Sequence, residues 1–495
     1  MPQYLAATIG PIYYTISHAV STKAIWTASY LFSYLMREIA KEMKDEGNIL
    51  LPSMEDLDAA ERAGITDQVG LFPDRFFMEV GEPNKAATKL KDVLKRQIDI
   101  LADVISKDLS MSEECIVNFL NAYLNYSFVT YEAETSLFAE IGNKSLDCLE
   151  MTPNFSTSGV EFEEILLNFL ELKVYNEFVK KFKKQNRLTT IPDISSIARG
   201  KVEKTLFQRQ KYVAVCNLDA DHIGKLLKET KNHDEIKLVS KALFNYSEEA
   251  YKIVNNFGGL TVYSGGDDLF FFAPLVNEQN NQDIIGLICE LNQAFIDKVT
   301  KNKDLSPLME RIKPENMPSL SAGISLSYEK YPLKEMMILS HKRLSDAKVH
   351  RNAIAFSLRK HSGQTVEAIL DKSDIKTLLA FKALINFALK NPSQDALLSS
   401  MLYRFSAHKT VFSGMLETFG ADFVTYLPYW FQNNFNEKPH ENNKFIELIE
   451  SLFKYILLAH YDQGNKKHTT SVESALAIFL ASVRYVNFLT TSLKR

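Results

Sequence analysis

The stretch Val262-Tyr263-Ser264-Gly265-Gly266-Asp267-Asp268-Leu269-Phe270-Phe271-Phe272 decides the fold of this 495-residue chain. Its two ends are rich in β-branched and aromatic residues, which favour strands, and the two glycines can take the positive φ that a tight turn needs. The pattern therefore predicts a β-hairpin with two carboxylates at its tip. Such a tip is either an ordinary polar turn or a place where charge is concentrated for chemistry, and the rest of the chain favours the second interpretation.

An apolar run earlier in the chain supplies a third carboxylate. Tyr212–Leu218 has the composition of a central strand that is buried on both faces, and it ends in Asp219-Ala220-Asp221. In a β-α-β-β-α-β unit the first strand and the hairpin are neighbours in one sheet. Asp219 is therefore predicted to lie close to Asp267 and Asp268. Carboxylates at one sheet edge are suited to hold Mg²⁺ or Mn²⁺ against a triphosphate.

The turn after Asp219 is predicted to face phosphate oxygens through its backbone. Gly224 stands where a helical turn begins, and free N–H groups at such a turn can face phosphate oxygens. Ser264, Gly265 and Gly266 form the predicted hairpin turn and are further candidate nucleotide-binding residues.

A basic group near residue 350 is the predicted triphosphate contact. Lys348 ends a helix predicted over 332–349, and His350, Arg351 and Asn352 follow it. A solvated lysine at a helix C-terminus is common. Because carboxylates and a metal site are predicted nearby, we favour a phosphate contact for Lys348, with Arg351 and Asn352 as further candidates.

The periodicity of the whole chain predicts an α+β fold with two ferredoxin-like palm domains, a helical insert and a C-terminal all-α domain. The N-terminal part has strands predicted at 3–16, 48–51 and 75–80 and long helices at 17–45 and 84–109, but no acidic pair at its hairpin. The predicted parts are a degenerate first palm (1–110), a helical linker domain (111–205), the second palm (206–365) and a helical domain (366–495).

The composition limits the functions open to the chain. A net charge of -4 gives no overall case for nucleic-acid binding, so such a contact would be local or shared with partners. The basic run at 180–184 is interpreted as a solvated helix end rather than an RNA contact. The four cysteines form no C-x-x-C pair, which predicts no zinc site and suits a reducing compartment. The sequence shows no signal peptide or membrane span, so a cytoplasmic location is expected.

These motifs resemble a known family. Segments 212–227, 263–274, 320–324 and 347–353 resemble the second palm domain of the Cas-ten (Cas10) family, the large subunit of type III CRISPR effector complexes. Segments 9–35 and 69–77 resemble the first palm of its Cmr-type, or III-B, branch. The same palm motifs occur more distantly in GGDEF-type nucleotide cyclases.

The resemblance implies a target-RNA-activated nucleotidyltransferase of an antiviral Cmr complex. Its palm would join ATP into cyclic oligoadenylate second messengers by two-metal catalysis when CRISPR RNA pairs with target RNA. Asp219 and Asp268 would then be Mg²⁺ or Mn²⁺ ligands, Asp267 would assist them, and Lys348 would hold the triphosphate. The implied partners are the other Cmr-type subunits, CRISPR RNA, target RNA and ATP, with no membrane.

The sequence departs from the family in two respects. Many members begin with an HD nuclease domain, whereas this sequence starts at the first palm, so no DNase activity is expected from it. Many members also hold a zinc ion between the palms, and no cysteine cluster is present for one.

Three alternatives remain open at the level of the sequence. Some Cmr-type members resemble this chain but couple ATP to S-adenosylmethionine. A structural subunit with an inactive palm is disfavoured by the intact Asp219, Asp267 and Asp268. A free-standing signalling cyclase is disfavoured by the first palm and the C-terminal helices, which look like docking surfaces for partner subunits.

Overall fold

The computed structural model describes residues 1–52, 54, 58, 61, 64–65, 68–109, 112–150, 191–200, 202, 205–392, 395–435, 444–462 and 472–493. It contains two main β-sheets, one in each palm, with helices packed against them. The α+β architecture with two palm-like sheets therefore agrees with the sequence prediction.

The first sheet has four strands in the order β2-β3-β1-β4. Its strands are β1 (Gln3–Gly10), β2 (Gly47–Leu51), β3 (Arg75–Val80) and β4 (Asn125–Glu132). The accompanying helices are α1 (Ile12–His18), α2 (Thr22–Met43), α3 (Pro83–Leu109), α4 (Glu113–Tyr123), α5 (Phe138–Glu150) and α6 (Ile194–Arg199). This is the strand order of a ferredoxin-like unit.

Two predictions for this half of the chain need correction. The strand predicted over 3–16, with its end near residues 10–11, ends at Gly10. The long helix predicted from residue 17 begins instead at Thr22, where Ser21 caps α2 by accepting a hydrogen bond from the Ala24 N–H at 3.1 Å, and the separate helix α1 precedes it. The region 111–205, predicted to be mostly helical, also contains a strand, because β4 pairs antiparallel with β1 along its whole length. The first palm therefore extends beyond residue 110. The helix predicted at 161–184 and the basic run 180–184 lie outside the described residues.

The second sheet has six strands in the order β12-β11-β10-β5-β7-β6. Its strands are β5 (Tyr212–Asp221), β6 (Leu260–Gly265), β7 (Asp268–Pro274), β10 (Ser319–Tyr328), β11 (Ala353–Arg359) and β12 (Thr365–Asp371). The short strands β8 (Val276–Asn277) and β9 (Gln282–Asp283) pair separately. The helices of this palm are α7 (Ile223–Lys228), α8 (His233–Phe257), α9 (Ile284–Phe295) and α10 (Leu333–His350).

The chain beyond residue 365 does not begin with a helix, which corrects a further prediction. Thr365–Asp371 is strand β12, which pairs antiparallel with β11 and alternates between exposed and buried residues. Helices follow it: α11 (Ile375–Lys390), α12 (Asp395–Ala407), α13 (Lys409–Phe419), α14 (Leu427–Asn434), α15 (Lys444–Asp462) and α16 (Val472–Thr490). Within the residues that the structure describes, none of the helices combines the length and the hydropathy that crossing a bilayer requires.

The two palms share one apolar core. Val213, Val215, Phe270 and Phe272 of the second sheet are buried in the same cluster as α2 and the inner face of the first sheet. A backbone hydrogen bond also joins the palms, because the Ser264 N–H donates to the carbonyl of residue 70 at 2.9 Å. The hairpin between β6 and β7 is therefore held against the first palm by its backbone as well as by its side chains.

The C-terminal helices cover the opposite face of the second palm. Arg209 forms a paired hydrogen bond to the Glu278 carboxylate at 2.9 and 2.8 Å and also donates to the carbonyl of Leu489 in α16. The Tyr485 hydroxyl donates to Asp283 at 2.7 Å. These contacts tie α16 to the turn before β5 and to the β8–β9 pair of the second palm.

Candidate functional site

The hairpin between β6 and β7 requires its two glycines for different reasons. Gly266 has φ of 66°, a conformation that strains any residue with a side chain. A Cβ on Gly265 would lie 2.5 Å from the hydroxyl oxygen of Tyr263. Ser264 is buried and its hydroxyl donates to the Ser247 carbonyl at 2.8 Å. Its side chain therefore anchors the hairpin to α8 instead of facing the cavity described below.

The hairpin brings the predicted carboxylates to one edge of the sheet. Asp219 in β5 lies directly opposite Asp268 in β7 in the antiparallel register. The Ala220 N–H donates to the backbone carbonyl of Asp267 at 3.0 Å, which fixes the turn against the end of β5. The neighbourhood that the sequence predicted for these three aspartates is therefore present in the structure.

The crowding of these carboxylates disfavours their charged forms. Desolvation and then Asp219 raise the pKa of Asp267 to about 6. Desolvation in the cleft, followed by Asp267 and Asp219, raises the pKa of Asp268 well above its usual value. Burial also raises the pKa of Asp219, although Lys348 opposes the shift. Repulsion among these carboxylates is unfavourable, and a bound cation would reduce it.

Asp221 is a fully buried carboxylate with partners from two later segments of the chain. Its Oδ2 accepts hydrogen bonds from the hydroxyls of Ser319 and Ser321 at 2.7 and 2.8 Å and from the Asn352 N–H at 3.0 Å. Burial acts to raise the pKa of Asp221, but these donors and Lys348 outweigh it and lower the pKa to about 2. Asp221 is therefore charged and supports the end of α10.

Lys348 lies between two aspartates. Its Nζ is 2.7 Å from Asp219 Oδ1 and 3.1 Å from Asp221 Oδ1, and it donates to the Ala220 carbonyl at 2.8 Å. Arg351 donates to Asp221 Oδ1 at 3.1 Å. Arg351 and Asn352 both have positive φ, at 62° and 43°, so the chain leaves α10 through two strained residues that Asp221 holds in place.

A cavity of about 680 Å³ lies between the two palms and reaches these carboxylates. Of the predicted site residues, Asp219 and Asp268 line it. The second palm also contributes Asn217, Phe270 and His341 to its wall. The lining residues from the first palm include Gly10, Tyr13, Phe32, Ser33, Phe72, Asp74 and Glu150. The volume is within the range of small-molecule sites, and it is large enough for a nucleotide.

The remaining predicted residues are near this cavity but do not line it. Lys348, Arg351 and Asn352 surround the Asp219–Asp221 edge through the contacts described above. Gly224 lies in the six-residue helix α7, and an added Cβ there would meet nothing within 4 Å. Its lack of a side chain is therefore not required by packing, and its predicted phosphate contact stays a prediction.

Sequence reasoning missed several residues of the site. Asp221 shares the face of β5 with Asp219, and the alternating serines of the segment Ser319-Leu320-Ser321 oppose these two aspartates in register. Strand periodicity was the signal that could have identified this group. Asp74 gave no such signal, because its position on the cavity depends on how the two palms pack.

The predicted metal ligands do not form a ready-made metal site in the described part of the structure. In the described part of the chain, no group of three or more histidine, cysteine, aspartate or glutamate side chains has the arrangement to hold a metal ion. Lys348 pairs with Asp219 where a cation would bind. The chemistry of the donor set nevertheless fits a divalent cation, because hard oxygen ligands with raised pKa values crowd one edge. The roles of Asp219, Asp267 and Asp268 as ligands stay a prediction.

Lys372 is a buried titratable group behind the Asp221 cluster, and it predicts a pH dependence of stability. Its Nζ donates to Asn292 Oδ1 at 2.5 Å and to the Leu320 carbonyl. Burial lowers the pKa of Lys372 from 10.5 to about 7, with Asp221 opposing the shift. Between these two values the unfolded chain binds more protons than the folded chain. The free energy of unfolding is therefore expected to rise with pH across this window, by up to about 1.4 kcal/mol per pH unit.

The measurement for Lys372 is urea unfolding of the wild type and of Lys372→Met at pH 7, 8 and 9. As the pH rises, the free energy of unfolding of the wild type is expected to increase relative to that of Lys372→Met. Lys376→Met, at an exposed position on α11, is the control and should follow the wild type. The same change in the free energy of unfolding with pH for the wild type and for Lys372→Met would contradict the prediction.

Two family models match separate parts of the chain. The model described as "Cas10/Cmr2, second palm domain" matches residues 212–355. The model described as "CRISPR-associated protein Cmr2, N-terminal" matches residues 4–105. The first match includes Asp219, the hairpin and Lys348. No match was found among curated protein sequences.

The fold is similar to those of solved CRISPR proteins. The structure titled "Type III-B Cmr-beta Cryo-EM structure of the Apo state" has 12% identity and a TM-score of 0.58, over 98% of this chain and 82% of the other. A Csm1–Csm4 cassette in complex with pppApA has 11% identity and a TM-score of 0.53, over 97% and 69%. The same cassette in complex with cA4 has 11% identity and a TM-score of 0.51, over 98% and 70%. At these identities the likeness concerns the fold.

Proposed function

Since the chain belongs to the Cas10/Cmr2 family, we propose that it is the target-RNA-activated nucleotidyltransferase of a type III-B CRISPR complex and converts ATP into cyclic oligoadenylates. The observation that carries the proposal is the antiparallel register of Asp219 and Asp268 at the edge of a cavity between two palms. Three carboxylates, a lysine and a nucleotide-sized cavity are the parts that nucleotidyl transfer requires. Similar folds have been solved with pppApA and cA4, which supports the same class of product.

In this reaction a ribose hydroxyl of one ATP attacks the α-phosphorus of another, and pyrophosphate leaves. The new phosphodiester bond replaces the α–β phosphoanhydride bond, and the hydroxyl proton passes to solvent or to a phosphate. The buried Asp221 network keeps Lys348 at the edge where the triphosphate would lie. Such reactions depend on positioning and on charge compensation more than on covalent participation of the protein.

Asp219 and Asp268 are the residues that would hold Mg²⁺ or Mn²⁺, with Asp267 assisting. The chemistry that a bound divalent ion supplies is neutralisation of the triphosphate charge and a lower pKa of the attacking hydroxyl. The protein's own part is to hold Asp219 and Asp268 opposite each other at the edge of the cavity. No cysteine-held zinc is part of this proposal.

The test uses the complex purified with its small RNA and partner subunits. It is incubated with ATP, Mg²⁺ or Mn²⁺ and matching target RNA, and the products are resolved by mass. We expect adenylate oligomers that appear only with target RNA. If the chain purifies without RNA or partner proteins and is active alone, a free-standing cyclase becomes the better interpretation.

A second candidate keeps this site and changes the co-substrate to S-adenosylmethionine. The observation that favours it is the acidic wall contributed by Asp74 and Glu150 of the first palm. Desolvation raises the pKa of Asp74, and Glu150 adds to the shift. Glu150 is paired with Arg75 at 3.0 Å, so this candidate depends on Asp74, whose carboxylate, when charged, repels a second triphosphate and attracts the ammonium and sulfonium groups of S-adenosylmethionine.

The same assay separates the two candidates when S-adenosylmethionine is added in a parallel reaction. A conjugate that forms only in its presence, and that Asp74→Asn reduces at least about tenfold, would assign the second activity. Adenylate oligomers unaffected by S-adenosylmethionine would assign the first. Absence of any product in either reaction would favour a structural subunit with an inactive palm.

A further inference from the structure

Lys348 has used all of its hydrogen-bonding capacity inside the protein. An ammonium group has three donors, and Nζ lies within 3.1 Å of three oxygens, those of Asp219, Ala220 and Asp221. A lysine in this position cannot also contact a triphosphate. One of the three contacts must break before it can do so.

The contact to Asp219 is the one that a ligand can replace. The Asp219 side chain is 33% exposed and lines the cavity, whereas the Asp221 side chain is fully buried. Removing a cation from a buried carboxylate costs more than removing it from a carboxylate that water can reach. Lys348 is therefore expected to leave Asp219 first and to remain beside Asp221.

We propose that Lys348 is a tethered cation that competes with a divalent metal ion for Asp219, and that Asp221 is the positioning residue that keeps this lysine beside the site when it is displaced. The tether is supported by the whole Asp221 cluster, because Ser319, Ser321 and the Asn352 N–H hold that carboxylate in one orientation. The proposal rests on the proposed function for the assignment of Asp219 as a metal ligand. It does not depend on turnover.

The arrangement couples two binding events. A divalent ion that takes Asp219 releases the Lys348 ammonium, which is then free to contact a phosphate from its position on Asp221. The triphosphate in turn stabilises the released lysine. Metal and nucleotide are thereby expected to favour each other's binding, since each acts on the same ion pair.

The test measures Mn²⁺ binding to the full-length chain without nucleotide, by electron paramagnetic resonance of free Mn²⁺. In Lys348→Met the competing cation is gone, so the Kd for Mn²⁺ is expected to fall at least about fivefold. In the absence of divalent ions the affinity for ATP is expected to stay close to the wild-type value in the same variant, because Lys348 is then paired with Asp219 and does not contact the triphosphate. A purely structural lysine would instead lower both affinities together.

Three further variants make the result specific. Asp219→Asn should abolish the Mn²⁺ site that Lys348→Met strengthens. Lys348→Arg keeps the positive charge and should leave Mn²⁺ binding as weak as in the wild type. Lys342→Met, at an exposed position on the same helix α10, should change neither affinity. An unchanged or weaker Mn²⁺ affinity in Lys348→Met, or Mn²⁺ binding that does not depend on Asp219, would overturn the proposal.

Asp221→Asn tests the positioning role separately. Without the second carboxylate, Lys348 pairs with Asp219 alone, so Mn²⁺ is expected to bind more weakly than to the wild type. Adding Lys348→Met to this background should give a larger gain than in the wild type, which a double-mutant cycle measures. Equal gains in the two backgrounds would remove Asp221 from the proposal. Near-ultraviolet circular dichroism confirms that each variant is folded, and if Asp221→Asn is not folded the Lys348 variants alone decide.

The Mn²⁺-binding experiments test the role of Lys348 separately from the proposed synthase activity. If the complex makes no adenylate product but Lys348→Met binds Mn²⁺ more tightly, the proposal for Lys348 is supported and the proposed synthase activity is contradicted. A complex that makes the product while Lys348→Met leaves Mn²⁺ affinity unchanged would do the reverse.

Discussion

Replacement of Asp268 by asparagine is expected to reduce oligoadenylate synthesis at least about a thousandfold, which corresponds to about 4 kcal/mol of transition-state stabilisation. Asp268 lines the cavity and opposes Asp219, so its carboxylate is one of the two that would hold a divalent ion. Asp267 lies in the turn and does not line the cavity. Asp267→Asn is therefore expected to cause a smaller loss, of about ten- to a hundredfold.

Asp268→Asn is expected to leave the protein as stable as the wild type or more stable. The pKa of Asp268 is raised in the folded chain, which means that its charged form destabilises the fold at neutral pH. Asparagine removes that charge and keeps the size of the side chain. Loss of activity accompanied by an equal or higher melting temperature would separate a catalytic role from a structural one.

The measurements are product formation by mass and thermal unfolding of the purified chain. Asp304→Asn, at an exposed position in the same palm, is the matched control and should change neither. Full synthesis by Asp268→Asn would remove this residue from the site. A large fall in melting temperature would show that its main role is to support the hairpin.

Gly323→Ala is expected to destabilise the protein by at least about 4 kcal/mol, which is outside the range of ordinary substitutions. A Cβ at this position of β10 would lie 2.0 Å from the backbone nitrogen of Leu344 and 2.4 Å from the carbonyl oxygen of Ser340. Both atoms belong to the backbone of α10, so no side-chain rotation can relieve the clash. The helix would have to move away from the sheet.

Because α10 carries Lys348, the same displacement is expected to disrupt the Asp219–Lys348–Asp221 arrangement. Urea unfolding and near-ultraviolet circular dichroism measure the effect. Gly414→Ala in α13 is the matched control, since its Cβ would meet nothing within 4 Å. Alanine is favoured over glycine within a helix by about 0.5–1 kcal/mol, so this variant should be slightly stabilised. A Gly323→Ala protein as stable as the wild type would contradict the packing described for α10.

The parts of the fold that local sequence patterns determine were predictable. The apolar run before Asp219 and the double-glycine hairpin gave the central strands of the second palm, and β3 lies at the residues predicted for it. Strands β4 and β12 were missed although their residues are β-branched or alternate in polarity. In both cases the neighbouring helical periodicity was extended over a segment that pairs with a distant strand, and sheet pairing is not a local property.

The candidate site was predictable where its residues adjoin in the sheet and not where they meet through packing. Asp219 and the hairpin aspartates were placed together from the strand order alone. The partners of Asp221 come from the start of β10 and the end of α10, so their convergence follows from the tertiary fold. For the same reason a phosphate contact was predicted for Lys348, whereas the structure pairs this lysine with two aspartates.

The core that the palms share has a consequence for how this protein can evolve. Val213, Val215, Phe270 and Phe272 are covered by the first palm, so the second palm inherited alone would present these side chains to water. A gene that loses the first palm, or exchanges it for an unrelated domain, would have to replace that apolar surface at the same time. The first palm is therefore expected to be retained even where it holds no metal ligands, because its loss would expose the apolar surface of its neighbour.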